Sequence, residues 1–274
     1  MTSAHHVIDG RRGQAEPGLT GVDRVLACLR LLGTDANGTG LDEIAKALGS
    51  PKSSTHRALA ALMRAGLVEQ ADDRRYRLSL DFVRLAFSYY ERLDRPRLVQ
   101  PVLAELAEMF GETAHYGELD GPEIVYLGQA RPHGERVQMT ARIGGRNPAY
   151  CTGLGKALLA HALLDVTSLQ RFFELHGPLA KRTPKSLTTT GALDQELRAT
   201  RERGYALDRE ESDPGVTCIA FPIFLGGPKP TGAISISALA SRTPLEALIN
   251  NAVEIRGVLT AHLGDGVMSA PARI

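Results

Sequence analysis

A tight turn, Leu48-Gly49-Ser50-Pro51, separates two short amphipathic stretches, and it constrains the fold more than any other feature of the chain. Ahead of it, Leu41, Ile44, Ala45 and Leu48 share one face of a helix over 41–48, and Thr39 three residues before Asp42 is a capping signal. Behind it, Ser50 is a good N-cap and Pro51 suits the first helical position, where no N–H is needed. Thr55, Ala58, Leu59 and Leu62 make the inner stripe of this second helix, and Gly66 ends it. An earlier helix over 21–32 carries Val22, Val25, Leu26, Leu29 and Leu32 at helical spacing. Residues 67–70 and 75–80 read as short strands joined by the polar turn Asp72-Asp73-Arg74. Helix, sharp turn, helix and hairpin in this order is the layout of a winged helix-turn-helix.

The outward face of the second helix has the chemistry of a DNA reader. Ser53, Ser54, Arg57, Ala61 and Arg64 lie opposite the Leu59 stripe, Lys52 and His56 flank them, and residues 51–65 include no acid. Short polar side chains approach the major groove closely, an Arg reaches a guanine edge, and free N–H groups at a helix start suit a phosphate. Arg74 and Arg75 of the hairpin are placed to meet phosphate or the minor groove. A protein-interaction module with a merely solvated basic face is the alternative. Charge bias, turn and wing together favour double-stranded operator DNA. The whole chain has a formal net charge of only +1, so any DNA affinity is local to this patch.

The 274 residues suffice for two domains. Residues 81–90 form another helix, Leu93-Asp94-Arg95-Pro96 breaks it, and an amphipathic helix over 97–110 leads into the second domain. We expect a DNA-binding domain over 19–92 and a ligand domain with its linker helix over 93–268, after a disordered tail at 1–18. In the second domain, strands at 115–119 and 123–129 flank an Asp120-Gly121 turn, with further strands at 136–142, 205–208, 217–224 and 231–238. Helices are expected over 155–164, 169–176, 193–203 and 244–263. Hairpins with flanking helices predict an α+β fold with a mainly antiparallel sheet. No apolar run spans a bilayer, and residues 1–18 have the pattern of neither a signal peptide nor an anchor, so a cytoplasmic protein without membrane contact is expected. Cys28, Cys151 and Cys218 are odd in number and far apart, which supports neither a disulfide framework nor a zinc cluster.

Cys151-Thr152-Gly153-Leu154-Gly155-Lys156 precedes an apolar helix. Glycines at a helix start let a ligand approach the backbone and offer N–H groups to a carboxylate, although tight packing explains them equally well. The spacing is not that of a phosphate-binding loop. Ser235 and Ser237 share a strand face, which lines a pocket or meets solvent. Asp208 and Cys218 lie in strands that can border the same space.

Leu41-Asp42-Glu43-Ile44-Ala45 and Pro51-Lys52-Ser53-Ser54-Thr55-His56-Arg57 resemble the helix-turn-helix of the IclR family of bacterial transcriptional regulators. Ile143-Gly144-Gly145-Arg146-Asn147-Pro148 with Gly153-Leu154-Gly155-Lys156-Ala157, Gly204-Tyr205-Ala206-Leu207-Asp208 through Cys218-Ile219-Ala220, and Ala233-Ile234-Ser235-Ile236-Ser237 are similar to its effector domain. The likeness spans residues 21–263, with one departure: Thr55 stands where many members carry a larger apolar residue. It implies a winged helix-turn-helix, a linker helix and a GAF-like effector domain, assembled as dimers or tetramers. It also implies an effector pocket at Gly153, Leu154, Asp208, Cys218, Ser235 and Ser237, beside Gly155, with Met139 and Leu154 as apolar walls. Such a pocket suits a small organic acid.

Two other readings remain open. Cys151 with His161 or His115 and Asp208 is the raw material of a thiol enzyme, but no spacing brings a base to the sulfur. His115, His133, His161 and His176 show no metal-ligand spacing, so no catalytic residue, metal or cofactor is expected. A GAF-type sensor whose helix-turn-helix serves only dimerisation is the other.

Overall fold

The computed structural model describes residues 19–134 and 141–268. The tail expected at 1–18, nearly all of the strand expected at 136–142, and Met139 lie outside the described residues. The chain divides into two compact units between Leu93 and Asp94.

The first unit runs α1 (Gly21–Leu32), α2 (Leu41–Ala47), α3 (Lys52–Arg64), β1 (Val68–Gln70), β2 (Tyr76–Leu78) and α4 (Leu80–Tyr90). Cys28, Leu32, Ile44, Ala58, Leu59, Leu62, Val68 and Tyr76 form its core. The inner face of α1 is Val25, Cys28, Leu29 and Leu32; Val22 and Leu26, expected on that stripe, are exposed. Two caps differ from expectation. Gly40, not Thr39, caps α2, and the Glu43 carboxylate accepts its N–H at 3.0 Å. Pro51, not Ser50, is the N-cap of α3, because Ser50 Oγ is turned to accept from Arg24 Nε at 2.6 Å and ties the turn to α1. Gly49 takes a φ of +56°, which makes the turn sharp at no steric cost. Thr55 is fully buried, and its hydroxyl donates to the Pro51 carbonyl at 3.2 Å, so it leaves no orphaned polar group. β1 and β2 pair antiparallel with Val68 opposite Leu78. Ser79 caps α4 by accepting from the Phe82 N–H at 3.1 Å.

The second unit opens with α5 (Asp94–Phe110), three residues earlier than expected. Pro96 falls in its first turn, where a missing N–H costs nothing, so it does not break the helix. Six strands follow: β3 (Thr113–Asp120), β4 (Glu123–Ala130), β5 (Arg146–Pro148), β6 (Ala206–Arg209), β7 (Val216–Ile223) and β8 (Gly232–Leu239). They form one antiparallel sheet in the order β5-β4-β3-β8-β7-β6. Both faces are covered. On one, α5 packs with α9 (Leu245–Asn250) and α10 (Ala252–Leu263) over Ile219, Phe221, Ile234 and Ile236. On the other, α6 (Gly153–Ala162), α7 (Val166–His176) and α8 (Thr190–Arg203) pack over Ile124, Ala206, Ala220 and Ala233. The closing helix expected over 244–263 is interrupted at Asn251, whose amide folds back to donate to the Ala247 carbonyl at 2.8 Å. This is the α+β fold with a mainly antiparallel sheet. Among the described residues no helix is long and apolar enough to cross a membrane.

Candidate functional site

On the first unit, α3 presents Lys52, Ser53, His56, Arg57 and Arg64 to solvent, with Ser54 half-buried. The helix has no side-chain cap and no acid in its first turn; Ser54 N–H donates to the Pro51 carbonyl at 3.0 Å, and the N–H groups of Lys52 and Ser53 lack a side-chain cap. Lys52, Ser53, His56 and Arg57 line a shallow hollow with Leu41 of α2. The basic residues are not equivalent. Lys52 pairs with Asp42 at 2.8 Å in the open. Arg75 is pinned, donating from Nε to the Gly38 carbonyl at 2.9 Å and meeting Glu43 at 3.2 Å. Arg57 has only a 3.5 Å approach to Ser54 Oγ, which leaves its guanidinium free to reach outward. Arg74, at the tip of the β1–β2 turn, is exposed and holds a φ of +65°. Sequence reasoning treated Arg74 and Arg75 as a pair; the structure separates a tip residue from a buttress.

On the second unit, the register of β6, β7 and β8 sets the candidate pocket. Asp208 pairs with Cys218, which pairs with Ser237; Ser235 pairs with His115 of β3. Period-two alternation puts these side chains on the face beneath α6. The serine face is largely withdrawn from solvent: Ser235 is 2% exposed and Ser237 half-buried. Together with Gly153 and Leu154 at the start of α6, these residues line a small cleft with a cavity volume of about 40 Å³ that opens to solvent. Gly155 is not among its walls. A Cβ there would lie 2.1 Å from the Ala149 carbonyl oxygen, and its N–H is already taken by Thr152 Oγ1, so Gly155 serves close packing.

His115, Tyr126, Asn147 and Thr152 also line the cleft, and sequence reading did not place them there. Cross-strand register, not sequence spacing, brings them in. His115 is fully buried, and burial pushes its imidazole down to about 4. Its ring lies between Gln129 Nε2, 3.1 Å from Nε2, and Ser237 Oγ, 3.4 Å from Nδ1. Asn147 donates to the Tyr126 hydroxyl at 3.2 Å. Burial raises Asp208 to about 7 and pushes the Cys218 thiol up to about 12. Beneath Asp208, Lys156 of α6 is fully buried in an ion pair with Glu211.

The thiol reading finds little here. Cys151 is buried with its thiol pushed up to about 12, and its sulfur turns to the Pro148 carbonyl. His161 packs edge-on against Phe224. Among the described residues no cluster of three or more His, Cys, Asp or Glu side chains is arranged to hold a metal ion.

Two family models match the chain: the IclR helix-turn-helix domain over residues 21–72, and the bacterial transcriptional regulator IclR C-terminal domain over residues 87–256. The HTH-type transcriptional regulator BhcR of Paracoccus denitrificans is 35% identical over 222 residues, covering 80% of this chain and 77% of its own. A solved IclR transcriptional regulator from Alicyclobacillus acidocaldarius superposes with a TM-score of 0.75 at 26% identity, over 88% of this chain and 96% of that one. The fold also matches an IclR homolog from Microbacterium hydrocarbonoxydans, solved as a complex with 4-hydroxybenzoate, with a TM-score of 0.72 at 24% identity over 88% of this chain and 100% of that one. With both of its units matched in order, the chain is an IclR-type DNA-binding transcriptional regulator and belongs to the IclR family.

Proposed function

We propose that this regulator reads duplex operator DNA with α3 in the major groove and the β1–β2 turn on the backbone, and that a small organic acid in the cleft beneath α6 modulates the binding. The observation that carries the DNA half is the outward face of α3: an uncapped helix start beside an unpaired Arg57, with no acid in the first turn. Arg57 reads a base edge; Lys52, Ser53, Ser54, His56, Arg64 and Arg74 position the helix on phosphates. Arg75 contributes chiefly by holding the hairpin to the Gly38 loop.

The observation that supports the ligand half is a helix N-terminus facing hydroxyls in a half-enclosed cleft. The leading N–H groups of α6, at Gly153 and Leu154, suit a carboxylate. Ser235, Ser237, Asp208 and Cys218 offer hydrogen-bonding partners to the rest of a small acid. A single winged unit covers a short site, so the protein acts as a dimer or a pair of dimers on half-sites related by dyad symmetry. It acts as a regulator rather than an enzyme and works in the cytoplasm.

Footprinting on the DNA upstream of its own gene tests this reading. Arg57→Ala loses specific protection at concentrations where wild type protects, because a lost bidentate guanine contact costs about 1–3 kcal/mol, and it keeps most non-specific binding. Unchanged protection removes Arg57 from the reading face.

A further inference from the structure

Asp208, Glu211 and Lys156 form a buried cluster with an unbalanced charge. Asp208 is 4% exposed, Glu211 3%, and Lys156 not at all. Two carboxylates therefore share one ammonium. Lys156 Nζ is in direct contact with Glu211 Oε1, while Glu211 Oε2 is buried without a hydrogen-bond partner. Asp208 has no such cation contact: it accepts backbone N–H groups, Glu211's at 2.7 Å and that of Ser212.

Among the described residues lining the cleft, none supplies the missing positive charge. From β7 Asp208 faces the Cys218 thiol, from the turn before α6 the Cys151 thiol, and from β4 the Tyr126 hydroxyl, all raised by burial and so neutral. From β3 the cleft receives the His115 imidazole, also held neutral, and from β8 two serine hydroxyls. The β6–β7 loop adds a further acid, Asp213. Arg182 lies outside, with Nε donating to the Ser212 carbonyl at 3.1 Å and its guanidinium 4.0 Å from Asp213. On the far side of Glu211, Glu196 of α8 adds negative potential and is itself paired with Arg203. No Lys or Arg is among the described residues lining the cleft.

A carboxylate entering this space places another negative charge beside Asp208, and two close carboxylates in a desolvated site do not both stay ionised. We propose that Asp208 holds an anionic effector as a proton donor, so that each organic acid bound takes up one proton from solvent. The inference rests on the organic-acid reading of the cleft. Burial raises the Glu211 carboxyl as well, but Lys156 touches it and opposes that rise, so Asp208, with no cation in contact, is the carboxyl that takes the proton. Burial already brings Asp208 to about 7, so the uptake needs only a small further push. Effector affinity then falls as pH rises through neutrality, by about tenfold per pH unit above the Asp208 pKa. A neutral ligand such as a polyol or an amide shows no such slope.

Two measurements on the full chain test this. In the first, ¹³C NMR of aspartate-labelled protein follows the Asp208 carboxyl, identified by its loss in Asp208→Asn. It titrates near neutral pH; titration in the ordinary range near pH 4 overturns the proposal whatever ligand binds. In the second, 4-hydroxybenzoate, pyruvate and lactate are titrated calorimetrically at pH 8 in two buffers of different ionisation enthalpy. An acid that binds takes up close to one proton in wild type and none in Asp208→Asn, whose amide is a permanent neutral donor. Binding without proton uptake in wild type overturns the proposal and leaves the organic-acid reading standing. If Asp208 titrates near neutral pH and none of the acids binds between pH 5 and 8, the organic-acid reading falls and the proton uptake falls with it.

Discussion

Lys156→Met removes the ammonium beneath the cleft and leaves Glu211 as a carboxylate 3% exposed with nothing to balance it. Removing one partner of a buried pair costs about 3–5 kcal/mol, because the survivor keeps its desolvation penalty and loses its attraction. Glu211→Met alone strands the ammonium and costs a similar amount. The double variant Lys156→Met/Glu211→Met exchanges the pair for apolar side chains of similar volume, and it lies within about 2 kcal/mol of wild type. The singles therefore do not add, and the coupling is several kcal/mol. A pH signature accompanies it: in Lys156→Met the stranded carboxyl escapes its penalty by taking a proton, so the deficit shrinks as pH falls toward the unfolded Glu value of about 4.3. Urea unfolding followed by circular dichroism measures all four proteins, taking the transition of the C-terminal unit. A Lys156→Met deficit under about 1 kcal/mol, or a double variant that costs the sum of the singles, refutes the reasoning.

Three further outcomes follow from the site. Arg74→Gly relieves the left-handed backbone at the hairpin tip, so it leaves stability level or higher while weakening operator binding and lowering the salt slope by about one; Arg75→Ala, which breaks the contacts to Gly38 and Glu43, lowers the melting temperature of the DNA-binding unit instead. Gly155→Ala drives a methyl into the Ala149 carbonyl and unfolds or severely destabilises the effector unit, which a thermal melt detects. Asp208→Asn is the more stable protein at neutral pH: the Asp208 carboxyl is raised to about 7 against about 3.9 unfolded, so wild type loses stability as pH climbs from 4 to 7 and the gap reaches at most about 4 kcal/mol, vanishing near pH 4. Equal stability across that range contradicts the assignment of a buried, unpaired Asp208.

The helix stripes and the Gly49 turn were legible because each is local: periodicity and turn chemistry lie within a dozen residues. The caps were less so. Ser50 has the chemistry of an N-cap, but Arg24 on another helix claims its hydroxyl, and no local pattern announces that. The same limit applies to the cleft. Gly153, Leu154, Asp208, Cys218, Ser235 and Ser237 were named by resemblance, and the structure brings all six to one cleft. His115 stands 120 residues from Ser235 in sequence and beside it in the sheet, so its place depends on the β3–β8 register alone. Lys156 stands in sequence only as the end of a glycine-rich stretch before an apolar helix; its full burial shows only in the packed structure. Local rules recover elements, and long-range pairing decides which residues share a site.

Titration of an acid into the operator complex tests the central claim most directly, with wild type beside Leu154→Trp. Leu154 is 2% exposed at the start of α6 and walls the cleft, so an indole there fills it while α3 in the other unit is untouched. Fluorescence anisotropy of a labelled operator gives the affinity at each acid concentration. The account predicts that acid shifts the wild-type operator affinity by about 5- to 150-fold, a coupling of about 1–3 kcal/mol, and that Leu154→Trp binds operator as wild type does and ignores the acid. An equal response of both proteins places the effector elsewhere and contradicts the account.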